Sequence, residues 1–218
     1  MKEHYLSIPL RNEDLFELEV GDVVFLSGII YTGREGVYNQ LFDKNIELPY
    51  SIASMSNVTF HCSPAIREDN GTYNISSVTA TASFRFTKYM DRFLPQFNVK
   101  AVVGKSGLTA ESYRRYFVPN GTIYLSTIGY GAGAIYGKSI KQVKDVVWKE
   151  ELGLAQAMWV LDVEQFGPLI VESDVRGSSL FEQQNQKINQ SFLPLFEEMD
   201  IPILKRIGEE LNAKNEMV

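Results

Sequence analysis

The distribution of apolar and polar residues along the chain predicts a mixed α/β domain. Residues 23–31 (VVFLSGIIY) and 99–104 are nearly continuous apolar runs with many β-branched side chains. Such runs are typical of strands that are buried on both faces. Residues 122–128 (TIYLSTI) predict a further strand. Helices are predicted at residues 37–43, 109–117 with Thr109 as the N-cap, and 134–140.

The stretch from Val78 to Gly107 organises the chain. Small and hydroxylated residues lead to Arg85, an amphipathic segment follows, and an apolar run ends in Gly-Lys-Ser-Gly with Lys105. This order predicts a loop, a helix with Arg85 near its start, a buried strand and a second loop. Helix N-termini and glycine loops offer unpaired N–H groups, which together with two cations suit a small dicarboxylate. An ordinary β-α-β crossover with solvated charges explains the same pattern.

A third cation follows the first buried strand. Arg34 lies in a Gly-bounded loop directly after residues 23–31. Open α/β sheets bind ligands at the carboxyl ends of their strands, so this position favours a ligand contact. Alternatively, Arg34 is a surface residue that pairs with Glu35 or with an acidic residue of the following helix.

A glycine-rich turn, GYGAGA, spans residues 129–134. It lacks the full G-x-G-x-x-G spacing, because Gly133 follows Gly131 by two residues and Ala134 takes the last position. A dinucleotide site is therefore disfavoured. Close approach of a helix N-terminus to the sheet is the favoured use of these small residues.

Two regions differ from the compact α/β pattern. Residues 45–77 carry prolines, Gly71 and several Ser and Asn residues, which predicts loops and short, antiparallel strands, one of them at residues 58–62. From Ser178 onward a Gln/Asn-rich stretch leads into an amphipathic helical tail, whose apolar face must be buried against its own domain or a partner. The apolar positions of its first segment are Phe192, Leu195, Phe196 and Met199, and a second amphipathic segment spans residues 204–211.

Composition narrows the classes of function. The chain has 218 residues, 27 acidic and 21 basic, and a formal charge of -6. No basic cluster is present, which argues against a nucleic-acid surface. No apolar stretch is long enough to span a membrane, and the first residues lack the apolar core of a signal peptide. With a single cysteine, Cys62, no intrachain disulfide is possible. The expected location is the cytoplasm.

Several motifs in a fixed order carry a resemblance to a known family. They are GDVVFLSGIIYTGRE, TATASFR, AVVGKSG, a Gly/Ala-rich turn followed by KSIKQV, WVLDVEQFGPLIV and DVRGSSLFE. Together they resemble the β subunit, or C-terminal domain, of the iron–sulfur class I fumarase and L-tartrate dehydratase family. The resemblance implies a swivelling three-layer β/β/α domain with mixed sheets over residues 1–182. Residues 183–218 would form a helical C-terminal extension.

The resemblance implies roles for four residues. Arg34 matches a substrate-carboxylate ligand of the family's YTARD-like motif. Thr81 matches a threonine that belongs to the acid–base machinery at the reacting carbon, and Arg85 matches a carboxylate-binding arginine. Lys105 matches the substrate-binding lysine of a GKGG motif. A hydroxyl transfers a proton only if another group adjusts its basicity, and we expect a partner to supply that group.

Some positions depart from the family's motifs. Thr79 and Ala80 replace Gly-Pro, Ala82 replaces a second threonine, and Phe84 replaces a small residue. Ser106 and Leu108 alter the lysine loop, and Leu108 removes an arginine from it. Phe84 is expected to reshape the pocket, so the substrate could differ from fumarate. All four positions that carry a charge or hydroxyl are intact.

The resemblance also implies a cofactor and a partner. In the family, three cysteines of the α subunit hold a [4Fe–4S] cluster, whose open iron binds substrate as a Lewis acid. Cys62 alone cannot supply that set, so this chain is expected to hold no metal. We therefore expect a β subunit that acts only with an α subunit, as a hydro-lyase on fumarate/malate or tartrate. The alternatives are a relative acting on another hydroxy-acid and a non-catalytic carboxylate-binding module.

Overall fold

A computed structural model describes residues 1–192 of the chain. Residues Met1–Ser179 form one compact unit, and Leu180 begins a second. The strands of the first unit are β1 (Glu3–Ser7), β2 (Val23–Thr32), β3 (Val58–Phe60), β4 (Cys62–Asp69), β5 (Thr72–Ala80), β6 (Ala101–Gly104), β7 (Ile123–Thr127), β8 (Ile140–Val147) and β9 (Met158–Ser173). The mixed α/β class expected from the sequence is confirmed.

Most helices are short and follow strands. They are α1 (Asn12–Phe16), α2 (Glu35–Tyr38, continued by a wider turn over Asn39–Asp43), α3 (Met90–Gln96), α4 (Ala110–Ser112, continued over Tyr113–Phe117), α5 (Gly133–Lys138) and α6 (Lys149–Leu152). The predicted cap at Thr109 is confirmed, since its Oγ1 accepts a hydrogen bond from the Ser112 N–H at 3.2 Å. Among residues 1–192, no helix combines the length and apolar character needed to cross a membrane.

The main sheet closes on itself in a barrel-like arrangement. Its order is β1-β2-β3-β6-β7-β9-β8, and β2 also pairs with β9. Because β9 has 16 residues, its first half lies between β8 and β2 and its second half between β7 and β2. Strand β1 pairs in parallel with β2 and stands at one end of the strand order.

The short central strands β3 and β6 are buried on both faces of this sheet, whereas β1 and β8 are largely exposed. In β6, Ala101 and Val103 belong to one hydrophobic cluster and Val102 to another, and all three are fully buried. Successive side chains of a strand point to opposite faces, so one cluster lies on each side of β6. This explains why the strand reads as a continuous apolar run instead of alternating with polar residues.

The prediction for residues 45–77 is only partly correct. Strands β4 and β5 form an antiparallel hairpin, as expected, but they are eight and nine residues long. Strand β3 is parallel to both β2 and β6, so the expected antiparallel pairing is wrong for it. The direction of β3 is set by its place in the barrel, which its three residues do not encode.

Gly133 of the GYGAGA turn and Gly137, later in the same helix, allow α5 to approach the β4–β5 hairpin closely. A Cβ atom at Gly133 would lie 2.5 Å from Ser77 Oγ, and one at Gly137 would lie 2.6 Å from the Ser76 carbonyl oxygen. Since real Cβ atoms do not approach other atoms so closely, side chains are excluded there. The predicted packing role of this turn is confirmed for Gly133, whereas nothing lies within 4 Å of a Cβ at Gly129 or Gly131.

The second unit begins with helix α7 (Leu180–Phe192), which agrees with the start of the predicted helical tail. Three further predicted apolar positions lie outside the described residues, namely Leu195, Phe196 and Met199. The second predicted segment, at residues 204–211, also lies outside them.

Candidate functional site

Four neighbouring parallel strands end at one edge of the barrel. Strands β2, β3, β6 and β7 are mutually parallel in that order. The residues that directly follow parallel strands meet at the same edge, which is where α/β sheets commonly bind ligands. Arg34 follows β2, His61 follows β3 and Lys105 follows β6. The fold therefore gathers two of the predicted residues, together with one unpredicted histidine, at a single edge.

Thr81 and Arg85 are in direct contact. Thr81 leaves the end of β5 and its N–H donates to the His61 carbonyl at 2.7 Å. A 3₁₀ turn over Ser83–Tyr89 follows and directs the Arg85 guanidinium towards Thr81. Arg85 Nη2 donates a hydrogen bond to Thr81 Oγ1 at 2.7 Å. The predicted helix start at Arg85 is confirmed as this turn, which continues into α3. A cation and a hydroxyl are thus held together by local geometry.

Lys105 lies beside the same loop. It forms a parallel bridge with Ala82, the residue after Thr81. Tyr124 Oη donates to the Lys105 carbonyl oxygen at 2.7 Å. Two residues later, the Gly107 N–H reaches Glu172 Oε1 at 3.5 Å. The Lys105 loop is therefore attached to the barrel on both sides of Ser106.

A small cleft opens beside Lys105. Its volume is about 180 Å³, and it is lined by Val78, Thr79, Ala80, Lys105, Ser106, Thr127, Gly129 and Tyr136. Pockets for drug-sized ligands measure roughly 300–1,000 Å³, so this cleft suits a small metabolite. Thr81 directly follows the lining residue Ala80 in the chain, but neither Thr81 nor Arg85 lines the cleft.

Arg34 shares the edge but makes no hydrogen bond to the other three predicted residues. Its Nη1 donates to the Ala155 carbonyl at 2.9 Å. Its Nε is buried and has no hydrogen-bond partner in the described part of the chain. Within residues 1–192, Arg34 forms no ion pair with Glu35 or another acid, so the alternative surface pairing is not observed. A buried unpaired donor is a group that a ligand could satisfy.

Two departures from the family's motifs take different places in the fold. Leu108 is 7% exposed and belongs to the cluster on the helix side of the sheet, so it serves as a core residue. Phe84 is 62% exposed and does not line the cleft. Phe84 therefore does not shape this cleft directly, in contrast to the expectation from the sequence.

A buried row of polar side chains lies beneath these loops. His61 Nε2 is 2.6 Å from Tyr38 Oη, and His61 Nδ1 is 2.8 Å from Ser83 Oγ. Ser83 Oγ is in turn 2.6 Å from Tyr124 Oη. Burial lowers the pKa of His61 to about 3 and raises the pKa values of both tyrosines. The histidine is therefore neutral at physiological pH.

This row was not anticipated from the sequence. A signal did exist, because His61 falls within the short apolar strand predicted at residues 58–62. A histidine in a buried strand needs hydrogen-bond partners, since unpaired buried polar groups are costly. The partners of its ring, Tyr38 and Ser83, come from two other parts of the chain, so the sequence does not identify them.

The described residues do not fit an iron–sulfur cluster. Cys62 is buried, and burial raises the pKa of its thiol well above the usual range, although the charge of Arg34 opposes this shift. Cluster iron binds thiolates, which a buried high-pKa cysteine does not supply. Among residues 1–192, no three His, Cys, Asp or Glu side chains are grouped to hold a metal ion.

Similarity to known proteins covers nearly all of the described chain. The family model described as Fumarase C-terminus matches residues 2–184. A Methanocaldococcus jannaschii protein provisionally named L(+)-tartrate dehydratase subunit beta is 34% identical over 182 residues, which cover 82% of this chain and 91% of that protein. The Escherichia coli K12 protein named L(+)-tartrate dehydratase subunit beta is 31% identical over 210 residues, 95% of this chain and 96% of that protein.

A third relative is much longer than this chain. A Geobacillus stearothermophilus protein provisionally named fumarate hydratase class I is 32% identical over 196 residues. These residues cover 88% of this chain but only 37% of that protein. Most of the longer protein therefore has no counterpart in this chain.

Proposed function

The chain belongs to the Fumarase C-terminus family, and from that premise we propose that it is the beta subunit of a hydro-lyase. The reaction adds water to, or removes it from, a four-carbon dicarboxylate such as fumarate/malate or tartrate. The observation that carries the proposal is the contact of Thr81 with Arg85 beside the Lys105 loop. One hydroxyl and two cations are gathered there, and Lys105 lines a small cleft, although the chain as a whole is acidic.

The four predicted residues take distinct roles in this proposal. Arg34 and Arg85 bind substrate carboxylates, because a planar guanidinium can donate two parallel hydrogen bonds to a carboxylate. Lys105 adds a third positive contact. Thr81 Oγ1 transfers a proton at the reacting carbon, and the hydrogen bond that it accepts from Arg85 stabilises negative charge on that oxygen.

The proposal requires an alpha subunit. The cleft is open to the surface. Two exposed apolar residues, Ile128 and Ile135, each precede a residue that lines the cleft. A third, Phe84, directly precedes the site residue Arg85. A contiguous exposed apolar patch is typical of a surface that a partner covers, and our proposal places these three side chains in one such patch. The longer Geobacillus relative, in which this chain matches 37% of the length, is consistent with a second functional part.

The iron–sulfur cluster belongs to that alpha subunit in our proposal, since this chain's lone cysteine provides no ligand set. When bound, the cluster would supply the Lewis acid that activates the substrate hydroxyl. The beta chain contributes binding, orientation and proton transfer. We place residues 1–182 in the swivelling three-layer catalytic domain, residues 183–218 in a helical extension, and the complex in the cytoplasm.

Anaerobic co-expression with the alpha subunit tests the proposal. Hydration of fumarate and dehydration of malate and of tartrate are assayed for each chain alone and for the complex. We expect activity on at least one substrate that requires both chains. A well-formed, cluster-bearing complex that is inert on all three would overturn this substrate class. Activity only on another hydroxy-acid would instead indicate an altered pocket.

Thr81→Ala is the internal control of this experiment. Activity that persists in the Thr81→Ala complex would contradict the role given to that hydroxyl, even if the substrate class is right. If instead the wild-type complex forms and binds a dicarboxylate but does not turn it over, the chain is a non-catalytic binding module.

A further inference from the structure

A continuous row of hydrogen bonds connects the core to the backbone of Lys105. It runs from Tyr38 through His61, Ser83 and Tyr124 to the Lys105 carbonyl oxygen, with donor–acceptor distances of 2.6, 2.8, 2.6 and 2.7 Å. The four side chains are at most 3% exposed. We call these four side chains the His61 row.

The direction of each hydrogen bond follows from counting protons. The carbonyl of Lys105 can only accept, so Tyr124 uses its single O–H proton there. Ser83 must then donate to Tyr124 Oη, which leaves Ser83 Oγ to accept from His61 Nδ1–H. His61 is thus the Nδ1–H tautomer, and its Nε2 accepts the proton of Tyr38 Oη. Every hydroxyl and imidazole proton in the row has one acceptor.

The row joins the two loops that carry the proposed site. Ser83 lies two residues after Thr81 and two before Arg85. Tyr124 holds the backbone of Lys105, and the His61 carbonyl accepts the Thr81 N–H at 2.7 Å. His61 is therefore bonded to the Thr81 loop through both its backbone and its ring.

Gly104 makes room for the row. A Cβ atom at this position would overlap both Ser83 Oγ and Tyr124 Oη. The backbone of Gly104 does not have a positive φ, so close approach alone requires the glycine. The hydrogen bond between Ser83 and Tyr124 therefore requires a residue without a side chain at position 104, directly before Lys105.

We propose that the His61 row positions Lys105 and Thr81 relative to each other for the reaction. This inference rests on the proposed hydro-lyase function. Its members are positioning residues, because none of them lines the cleft. Buried rows of satisfied hydrogen bonds specify a single arrangement, since breaking one link leaves a buried group unpaired.

Steady-state kinetics of the alpha–beta complex test the proposal. Tyr124→Phe removes the bond to the Lys105 carbonyl, and we expect KM to rise by about tenfold with a smaller change in kcat, because Lys105 contributes binding. Ser83→Ala detaches the Thr81 loop, and we expect kcat to fall by about tenfold. Tyr31→Phe is the matched control: its hydroxyl is also buried but has no partner in the described chain. We expect its kinetics to stay within about twofold of wild type.

A purely structural row gives a different result. In that case Tyr124→Phe and Ser83→Ala would lower the stability of the complex but leave KM and kcat of the folded fraction unchanged. Equal kinetics in all three variants would therefore overturn the proposal. If the wild-type complex has no hydro-lyase activity, the proposed function fails and the positioning role fails with it.

Nitrogen NMR of the full-length beta chain tests the order of protons without an activity assay or a variant in the row. The chain has two histidines, so a His4→Gln variant leaves only the signal of His61. We expect one neutral Nδ1–H tautomer that persists down to about pH 5, well below the pKa of an ordinary histidine. An Nε2–H tautomer, or protonation close to the ordinary pKa, would overturn the assigned direction of the row.

Discussion

At the scale of single residues, the environment of Thr81 is the most informative feature. An isolated threonine hydroxyl is a poor acid or base, and the sequence suggested that a partner must adjust its basicity. The structure adds a candidate within the chain itself, because Arg85 Nη2 donates to Thr81 Oγ1 at 2.7 Å. A charged donor at this distance favours the oxygen that has lost its proton.

Two replacements of Thr81 should distinguish the role of its hydroxyl from the role of its methyl group. We expect Thr81→Ala to lower kcat of the alpha–beta complex by about 100-fold or more, the usual contribution of a positioned acid–base group. Thr81→Ser keeps the hydroxyl and should retain most of the activity. The measurement is kcat on the substrate that the wild-type complex uses. Equal losses in the two variants would show that the methyl group, not the hydroxyl, matters.

At the scale of secondary-structure elements, the contact of α5 with the β4–β5 hairpin shapes one wall of the cleft. Tyr136, in α5, lines the cleft together with Val78, Thr79 and Ala80 of β5. The two elements meet where Gly133 and Gly137 carry no side chain. The width of the cleft therefore depends on this close approach.

Gly137→Ala should disturb that contact. Its Cβ would lie 2.6 Å from the Ser76 backbone oxygen, which cannot move aside without displacing the strand. We expect the free energy of unfolding to fall by about 1–3 kcal/mol, as measured by urea denaturation. Gly131→Ala is the matched control, because nothing lies within 4 Å of a Cβ there. If the two variants had equal free energies of unfolding, the hairpin would be able to move away from the added methyl group at little cost.

At the scale of the whole molecule, barrel closure brings a histidine into a fully buried position. In the folded chain the pKa of His61 is lowered to about 3 by burial, whereas in the unfolded chain it has its ordinary value near 6.5. Below about pH 6.5 the unfolded state therefore binds one more proton than the folded state. The stability that depends on neutral His61 is present above that pH and is lost progressively as the pH falls towards 3.

The pH dependence of unfolding checks this expectation. Between about pH 6 and pH 4 we expect the contribution of His61 to the unfolding free energy to fall by up to about 1.4 kcal/mol per pH unit. His61→Asn removes the titrating group while keeping an amide that can donate to Ser83. The difference between wild-type and variant curves isolates His61 from the carboxylates, which also titrate there. Parallel curves would mean that His61 is protonated in the folded state.

Much of the fold and part of the site could be predicted because they depend on local pattern. Continuous apolar runs indicated β2 and β6, a threonine cap indicated α4, and the short loop from Thr81 to Arg85 brought two predicted residues into contact within one turn. Family motifs supplied the roles proposed for Arg34 and Lys105. These features can be recognised from neighbouring residues alone, or from several motifs that follow one another in a fixed order along the chain.

Only the tertiary structure decided the rest, because it depends on residues far apart in the chain. Pairing of β2 with β9 closes the barrel, and β3 is parallel because it pairs between β2 and β6, which its few residues do not specify. The His61 row joins Tyr38, His61, Ser83 and Tyr124, which belong to different segments. The sequence by itself determined the elements, the family and the candidate cations. The fold determined which polar groups are buried together, because burial and hydrogen-bond satisfaction are settled only when distant segments pack.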